Sequence, residues 1–491
     1  MDVVEEEHKY EAERSTELPD IERVLPSGAR IAHRAPIELD ATYFDTTDRR
    51  LLRCGLTLRR RSGGGDAGWH LKVPGEGAAT REEIRRPLSA ALLPEVPAEL
   101  ADLVLARLRG EPLRPVARIR TRRVVHEVLD SAGPVVEIAD DTVRAEVVGE
   151  AGARSWREIE VEVQPRGHKL AKRVAASLRA VGIRPSTERS KLATLLLPDD
   201  SRDARVHHRR EVLRARLVEQ SEELVARDLD VRRGRPDAVH DLRVAARRLR
   251  SCLQSFAPLF DEGSSARLGV ELRWLSGLLR AARDLEVLAR RIDGEIGEAL
   301  ALRGRAEVRR AVKAQIEREQ RAAVADLDEG LRSPRYAALL DDVLAFADRP
   351  AYRAGRRPRR QQLLARVDHD ARRVRRRLRR GRRAEGPARD VLLHEARKAA
   401  KRARYAAETI APLRPRRAAA LARHFEEVQE RLGERQDAVV SRAFLEELAH
   451  DGDDASRAVT FALGALARDE ERRVAEVDGH LPKARAAALG G

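Results

Sequence analysis

The spacing of hydrophobic residues changes near residue 200, and this change constrains the fold more than any other feature of the sequence. Before it, short segments alternate polar and apolar residues, as at 55–61 (GLTLRRR), 68–73 (GWHLKV) and 156–163 (WREIEVEV). A period of two, interrupted by Gly and Pro, predicts antiparallel strands and hairpins. After it, long segments rich in Ala, Leu, Arg and Glu end at Pro or Gly, which indicates a bundle of about eight helices. The pattern therefore predicts a multidomain α+β chain with a β-rich first part and an all-α second part.

The helical part contains an internal repeat. Residues 240–250 (HDLRVAARRLR) recur as residues 394–404 (HEARKAAKRAR), an offset of 394 − 240 = 154 residues. A second similarity follows each copy, at Asp284 and Asp437, with an offset of 437 − 284 = 153 residues. The repeat predicts two pseudo-symmetric helical bundles that face each other across a pseudo-two-fold axis.

The predicted strands carry charged residues at every second position, so that these residues share one face of each strand. Glu5, Glu7 and Lys9 form the first such set. The others are Arg59 with Arg61, His70 with Lys72, Arg118 with Arg120 and Arg122, and Glu158 with Glu160 and Glu162. A single charged strand face is usually solvated, but repetition over several strands favours a barrel with a polar lumen. A barrel of about eight strands is wide enough for one small ligand, and carboxylates beside cations suit a divalent cation bound next to phosphate.

Two stripes of charge are predicted on the repeated helices. Positions i, i+3, i+7 and i+10 share one helix face, and the residues at these positions are His240, Arg243, Arg247 and Arg250, then His394, Arg397, Lys401 and Arg404. Two such stripes facing each other would form a basic groove for an extended polyanion, because Arg binds phosphate oxygens in a bidentate manner. Duplication of the stripe, with its His in place, favours a functional surface over a solvated helix face. Asp284 and Asp437 are expected to pair with the basic helices and orient them.

The net charge of +16 predicts a polyanionic partner. Aromatic residues make up only 3% of the chain and no base-stacking motif is present, so nucleic acid is a possible partner that is not favoured. The N-terminus has no secretory signal and no run approaches the length of a transmembrane helix, so a cytoplasmic location without membrane contact is expected. The oligomeric state stays open. The Arg-rich stretch from Arg353 to Arg383 could extend the groove, contact nucleic acid, or form an exposed helix.

The first part of the chain resembles the CYTH, or triphosphate tunnel metalloenzyme, family. The resemblance covers residues 2–197 and is carried by Glu5-x-Glu7-x-Lys9 and, in order, by residues 43–46, 56–61, 70–74, 137–141, 158–162 and 190–192. It implies an eight-stranded antiparallel β-tunnel with flanking helices, spanning residues 1–197, that cleaves or cyclises triphosphates with Mg²⁺ or Mn²⁺.

The resemblance also assigns roles to residues. It implies that Glu5, Glu7, Glu160 and Glu162 hold metal ions, with Glu158 and Asp141 as weaker candidates, and that Lys9, Arg59, Arg61, Lys72, Arg120 and Lys191 bind phosphates. The catalytic set is then Glu5, Glu7, Lys9, Arg59, Arg61 and Lys72. Which of Arg118, Arg120, Arg122 and Arg123 points inward stays open, because Arg occupies both faces of this segment and hides the register.

The second part resembles the CHAD, or conserved histidine α-helical, domain over residues 203–485. The two His-containing segments at 240–250 and 394–405 carry this resemblance. It implies polyphosphate binding by two four-helix units through the eight residues of the two stripes, and it implies no catalysis.

These observations together favour a metal-dependent hydrolase of inorganic triphosphate, or of a related triphosphate, whose helical domain binds polyphosphate and associates it with polyphosphate granules. One alternative is a non-catalytic protein that binds polyphosphate or targets granules. Another is an adenylate cyclase of the class IV type, because the same tunnel can cyclise ATP.

Overall fold

Ten strands form one antiparallel sheet, and eight of them close into a barrel. This computed structural model describes residues 2–75, 80–88, 95–188, 190–197, 211–298, 305–451 and 457–480. The strands are β1 (Asp2–Ala12), β2 (Arg30–His33), β3 (Ile37–Asp45), β4 (Thr57–Ser62), β5 (Gly68–Pro74), β6 (Thr80–Arg86), β7 (Arg114–Asp130), β8 (Gly133–Val147), β9 (Arg154–Val163) and β10 (Arg184–Pro185). The order around the barrel is β1-β6-β5-β4-β3-β7-β8-β9, and β9 pairs back with β1. β2 pairs with β7 and β10 pairs with β1 outside this circuit. The predicted eight-stranded antiparallel barrel is confirmed.

Alternation along the strands separates an apolar outer layer from a charged lumen. In β9, Ile159 and Val161 pack outward with Val174 and Leu178 of the helix α4 (His168–Ala180). Each fully buried side chain of this kind stabilises the fold by about 1.5–3 kcal/mol. Because neighbouring strand residues point to opposite faces, the glutamates between these apolar residues face inward. The packing of α4 on the barrel thus determines that the acidic face of β9 lines the lumen.

A short helix closes the apolar part of the lumen. The helix α5 (Lys191–Leu196) packs Leu192 and Leu195 against a cluster that includes Tyr43 and Ile119 of the barrel. Its N-cap is Ser190, whose side-chain oxygen accepts a hydrogen bond from the backbone N–H of Ala193 at 3.1 Å. The same part of the chain contains three further short α-helices, which are α1 (Arg50–Arg53), α2 (Ala98–Leu103) and α3 (Leu105–Leu108), and a 3₁₀ turn at Ile21–Val24. The seating of α5 brings Lys191, its first residue, to the charged part of the lumen.

The chain divides into two compact units, Met1–Asp203 and Ala204–Gly491. The second unit is helical, and its two halves correspond helix by helix. The helices are α6 (Val212–Arg232), α7 (Ala238–Phe256), α8 (Glu262–Glu298), α9 (Arg305–Arg332), α10 (Pro334–Asp348), α11 (Arg360–Arg383), α12 (Gly386–Thr409), α13 (Pro415–Asp451) and α14 (Arg457–Gly479). Helices α6 to α9 form the first half and α11 to α14 the second, and α8 and α13 each contain 37 residues. The predicted pair of pseudo-symmetric helical bundles is confirmed.

The two helical halves pack against each other at two places. Helix α7 contacts its counterpart α12, which brings the two repeated segments together. Further out, Ile292 of α8 and Val312 of α9 share one apolar cluster with Leu445 of α13 and Leu463 of α14. The Arg-rich stretch forms a short 3₁₀ turn at Arg353–Gly355 followed by α11. Among the helices in the described ranges, none has the length and apolarity needed to cross a bilayer.

Candidate active site and basic groove

The barrel encloses a charged cavity of about 320 Å³. Acidic side chains reach it from β1, β6, β8 and β9, and basic side chains from β1, β4, β5, β6, β7 and α5. The charged residues that the sequence analysis placed there and that line the cavity are Glu7, Lys9, Arg59, Arg61, Lys72, Glu160, Glu162 and Lys191. The volume is at the lower end of the range for small-molecule sites, and the lining is mainly charged. The cavity is therefore suited to a small, highly charged ligand.

Three carboxylates form a cluster at one side of this cavity, where Glu160 lines it and Asp141 and Glu158 are buried next to Glu160. Asp141 of β8 lies opposite Glu158 of β9 in the sheet register, and Glu160 follows on the same face of β9. Each offers an oxygen that lies within 4.8 Å of the other two. The ammonium of Lys191 lies between them, with Nζ 2.8 Å from Asp141, 2.9 Å from Glu158 and 2.6 Å from Glu160. Lys9 Nζ lies 3.2 Å from Glu158 and 2.5 Å from Glu160.

The opposite charges in this cluster hold one another ionised. Burial alone would lower the pKa of Lys9 and Lys191, but the surrounding carboxylates raise the pKa of both above the ordinary range. Burial would likewise raise the pKa of Glu160 and Asp141, but Lys191 and the other nearby cations lower the pKa of both. Charged groups in a low-dielectric site interact strongly. Asp141 and Glu160 are thus negatively charged, and available as ligands, at neutral pH.

The opposite wall is basic. In the closed circuit of eight strands, β4 and β5 lie across the lumen from β8 and β9, and they carry Arg59, Arg61 and Lys72. Burial, followed by repulsion from Arg59, lowers the pKa of Arg61 to about 9. Arg61 also forms an ion pair with Asp66. A guanidinium whose pKa is lowered in this way would be stabilised by an anionic ligand.

Glu83 of β6 organises the basic wall. His70 Nδ1 lies 2.9 Å from its carboxylate, Lys72 Nζ lies 3.6 Å from it and Arg59 Nη2 lies 3.5 Å from it. Burial would raise the pKa of Glu83, but the hydrogen bond from His70 and the charges of Lys72 and Arg59 lower that pKa strongly. Glu83 and Arg85 were missed in the sequence analysis, and so was Arg81, which also lines the cavity. The segment 80–86 (TREEIRR) is charged on both faces, so its alternation gives little contrast.

The register of β7 places a different arginine in the lumen from the one expected. Arg120 lies outside the cavity with its side chain 51% exposed, 3.5 Å from Asp40. Arg123 lines the cavity, donates to Asp141 at 2.6 Å and forms an ion pair with Glu160. Ile119, at an odd position of the same strand, is buried inside the barrel, so the odd residues face inward. The expectation that Arg120 faces the phosphates is corrected to Arg123.

Two further glutamates complete the predicted metal ligands. Glu7 lines the cavity, and its Oε1 is buried without a hydrogen-bond partner, 3.3 Å from Lys9 Nζ. Glu5 lies in β1 opposite Arg81, but its side chain lies outside the described part of the structure. The carboxylate oxygens of Asp141, Glu158, Glu160 and Glu7 are the donors that Mg²⁺ and Mn²⁺ prefer. The residues present therefore fit a divalent cation on the acidic wall.

The helical unit brings its two predicted stripes together where α7 packs on α12. Arg247 Nε donates to the hydroxyl of Tyr405 at 3.1 Å and so bridges the two helices. Arg243 pairs with Asp284 at 2.7 Å, and Arg397 lies 3.9 Å from Asp437. Aspartates on α8 and α13 thus hold equivalent arginines of α7 and α12. We call the surface formed by Arg243, Arg247, Arg250, Arg397 and Lys401 the basic groove.

The basic groove has more positive than negative charge. Within the described ranges, no carboxylate lies within ion-pair distance of Lys401 or Arg250. Burial, followed by repulsion from Arg397, Arg247 and Arg243, lowers the pKa of Lys401 to about 7. Burial and neighbouring arginines also lower the pKa of Arg250. The groove is therefore electrostatically strained without an anion.

The remaining stripe residues differ between the halves. Burial lowers the pKa of both His240 and His394, and His394 Nδ1 lies 2.7 Å from Gln436 Oε1. The position equivalent to Gln436 in the first half is 436 − 153 = 283, which is Arg283, and its charge lowers the pKa of His240 further. Arg404 pairs with Glu408 at 3.2 Å and with Glu426 at 2.8 Å. The pseudo-symmetry is thus approximate at the groove.

Comparisons with known proteins agree with this division. The CYTH domain family matches residues 4–191, and the CHAD domain family matches residues 215–446. The chain is 37% identical to the uncharacterized protein Rv2226 of Mycobacterium tuberculosis, over 82% of each chain. Among solved structures, PptA from Streptomyces chartreusis aligns at 20% identity with a TM-score of 0.48, over 56% of this chain and 97% of that one.

Two other solved structures align with separate parts of the chain. The CHAD domain from the plant Ricinus communis aligns at 27% identity with a TM-score of 0.43, over 56% of this chain and 92% of that one. A putative adenylate cyclase from Bacillus halodurans aligns at 19% identity with a TM-score of 0.28, over 40% of this chain and 99% of that one.

CYTH domains form a family of divalent-metal-dependent enzymes that includes triphosphatases and adenylate cyclases, and CHAD domains are associated with polyphosphate. The two domain families match in order along the chain, and the alignment with Rv2226 covers 82% of each protein. The chain therefore belongs to the family of proteins that join a CYTH domain to a CHAD domain.

Proposed function

We propose that the tunnel hydrolyses inorganic triphosphate, or a related triphosphate, and that the helical domain binds polyphosphate. The observation that carries the proposal is the arrangement of the lumen: the carboxylate cluster of Asp141, Glu158 and Glu160, which reaches the cavity through Glu160, lies across from Arg59 and Lys72. A chain of phosphates between these walls would contact cations on one side and carboxylate-bound metal on the other. This arrangement is the one that phosphoryl transfer requires, because its catalysis is mainly positioning and charge stabilisation.

The residues of the chain divide the work between the walls. Asp141, Glu158 and Glu160, with Glu7 and Glu162 beside them, would hold Mg²⁺ or Mn²⁺, which supplies charge neutralisation at the phosphoryl oxygens and orients the attacking water. Arg59, Arg61 and Lys72 bind the phosphate oxygens and stabilise the charge that develops on them. Lys9 and Lys191 hold the carboxylates ionised and in position.

The residues that line the cavity favour inorganic triphosphate over a nucleoside triphosphate. Of the described residues that line the cavity, Tyr43 alone is aromatic, and its hydroxyl lies 3.4 Å from Arg59 Nη1. A nucleotide substrate would require a stacking surface for its base, and among the described lining residues only Tyr43 could supply one, whereas the charged groups suited to phosphate are many. Inorganic triphosphate therefore fits the cavity better than ATP. The adenylate cyclase and the non-catalytic polyphosphate-binding protein remain the alternatives that the assay must separate.

The first prediction concerns turnover. Wild-type protein is expected to release phosphate from inorganic triphosphate with Mg²⁺ or Mn²⁺, and Glu7→Gln is expected to lower the rate by about 10²-fold because a cavity carboxylate is lost. Glu146→Gln, on the outer face of β8, serves as the matched control and should retain wild-type activity. Formation of cyclic AMP from ATP would instead support the cyclase. Absence of turnover on triphosphate, ATP and thiamine triphosphate would contradict the enzymatic proposal.

The second prediction compares two adjacent arginines of β7. Arg123→Gln is expected to lower kcat/KM for triphosphate by about 10²-fold, because Arg123 orients Asp141 and Glu160. Arg122→Gln removes an equal charge from the outer face, where the Arg122 side chain is 56% exposed, and should change kcat/KM less than twofold. Steady-state phosphate release measures both. Equal losses in the two variants would show that net charge, not position in the lumen, governs activity.

The basic groove supports the second half of the proposal. Arg247, Arg250 and Lys401 would place their charges along an extended polyphosphate chain, whose oxygens would relieve the repulsion among them. Such binding would associate the chain with polyphosphate granules in the cytoplasm. The tunnel would then act close to a store of phosphate polymer.

A further inference from the structure

Helix α11 carries a third copy of the spacing that defines the two stripes of the basic groove. His369, Arg372, Arg376 and Arg379 stand at positions 0, +3, +7 and +10, since 372 − 369 = 3, 376 − 369 = 7 and 379 − 369 = 10. The same intervals separate His240, Arg243, Arg247 and Arg250, and the four stripe residues of α12. The segments are also alike as sequences: 369–379 reads HDARRVRRRLR and 240–250 reads HDLRVAARRLR.

This third stripe faces solvent, whereas the other two lie where α7 packs on α12. The buried residues of α11 include Val367, Asp370, Val374 and Leu378. They form the apolar side of the helix, which packs mainly against α12 and also contacts α7. The four stripe residues occupy positions between these buried ones, and all four are exposed or nearly so. We call His369, Arg372, Arg376 and Arg379 the outer stripe.

The outer stripe has no counter-charge of its own. A shallow depression on α11 is lined by six arginines, which are Arg372, Arg375, Arg376, Arg379, Arg380 and Arg383. Within the described part of the chain, none of the six forms an ion pair or a hydrogen bond. The flank of the same helix is different, because Arg377 lies 2.9 Å from Glu395 and Asp368 lies 2.7 Å from Arg417.

This row of unpaired arginines is electrostatically unfavourable when no anion is bound. Like charges three or four residues apart on a helix repel each other, and the outer stripe repeats this spacing along its whole length. An anionic polymer would remove the repulsion, and guanidinium groups bind phosphate oxygens through paired hydrogen bonds. Neighbouring residues of a stripe lie on one face of the helix, so a ligand that follows the stripe must be extended.

We propose that the outer stripe is a second binding surface for linear inorganic polyphosphate, separate from the basic groove; this inference rests on the proposed function of the groove. The shared His and Arg spacing indicates the shared ligand. Nucleic acid is disfavoured because α11 contains no Phe, Tyr or Trp on which bases could stack.

Two surfaces on one helical unit change how the unit holds a polymer. Once one segment of a polyphosphate chain occupies the basic groove, another segment reaches the outer stripe at a high effective concentration. Long chains therefore bind through both surfaces, whereas tripolyphosphate is too short to benefit from the second. The outer stripe makes binding by the helical unit selective for chain length.

The test uses the full chain and three sets of substitutions. The stripe variant is Arg372→Gln/Arg376→Gln/Arg379→Gln. The control variant, Arg310→Gln/Arg318→Gln/Arg321→Gln, removes the same charge from exposed positions of α9. The groove variant is Arg247→Gln/Lys401→Gln. Affinity for long-chain polyphosphate, for tripolyphosphate and for a short duplex DNA is measured by calorimetry over a range of salt concentrations, and thermal unfolding is measured for each variant.

The stripe variant is expected to bind long-chain polyphosphate about tenfold more weakly than wild type, and the slope of log K against log salt should fall by about 2 for three lost phosphate contacts. Its affinity for tripolyphosphate and its unfolding temperature should match those of the control variant, because the three arginines have no partners to lose.

Two outcomes would overturn the inference. The first is equal polyphosphate affinity in the stripe and control variants. If the groove variant then binds polyphosphate more weakly than wild type, the inference fails but the proposed function stands. Loss of binding to a short duplex DNA, without loss of polyphosphate binding, would assign the stripe to nucleic acid instead. If wild type and the groove variant both fail to bind polyphosphate, the proposed function itself fails.

Discussion

Replacing Glu160 by Gln is expected to lower metal-dependent phosphate release from inorganic triphosphate by about 10³-fold. Glu160 is the point at which the charges of the acidic wall meet, with Lys9 Nζ at 2.5 Å, Lys191 Nζ at 2.6 Å and Arg123 in direct ion pairing. Its removal withdraws a metal ligand and also releases three cations from their positions. Single-turnover phosphate release with saturating Mn²⁺ measures the chemical step.

The same substitution is expected to weaken the fold. Breaking a buried ion-pair network by removing one partner costs about 3–5 kcal/mol, and Glu160 is the shared anion of three buried or half-buried cations. The free energy of unfolding, measured by urea denaturation of the wild type and the Gln variant, gives this difference. The turnover assay is then run well below the unfolding midpoint, with Glu146→Gln as the control. Full turnover in a folded Glu160→Gln protein would contradict the proposed metal site.

Polyphosphate affinity is expected to fall as the pH rises from 7 to 9, by about tenfold per pH unit. The cause is Lys401, whose pKa in the free protein is lowered to about 7 by burial and by Arg397, Arg247 and Arg243, against the weaker opposing charge of Asp437. A bound polyanion stabilises the ammonium, so binding above pH 7 requires uptake of a proton. Affinity is therefore highest below pH 7 and decreases through the alkaline range.

Lys401→Arg is the matched control, because a guanidinium stays protonated throughout this range. The Arg variant should bind long-chain polyphosphate with an affinity that is nearly constant between pH 7 and 9. Burial holds the pKa of His240 and His394 below the ordinary value, so these histidines titrate below the measured window. The same decline in wild type and in the Arg variant would show that Lys401 is not the titrating group.

Much of the architecture could be predicted because it depends on local periodicity. A period of two identified the strands that carry Lys9, Arg59 and Glu160, and the 154-residue repeat identified the two helical halves. The period of two along a strand predicts which residues share a strand face. The structure places Glu7 and Lys9 together in the lumen as expected. Strand β6 escaped prediction because both of its faces are charged, although Glu83 and Arg85 follow the same spacing.

The amino-acid sequence by itself determined which residues share a strand face or a helix stripe, because these relations span only a few residues and follow from backbone geometry. Only the tertiary structure decided which face points inward. The choice between Arg120 and Arg123 depended on the packing of β7 around buried Ile119. The contact of Lys9 with Glu160, 151 residues apart, required closure of the barrel. Burial and long-range register are properties of the whole fold, which is why the sequence shows the components of both sites and the tertiary structure assembles them.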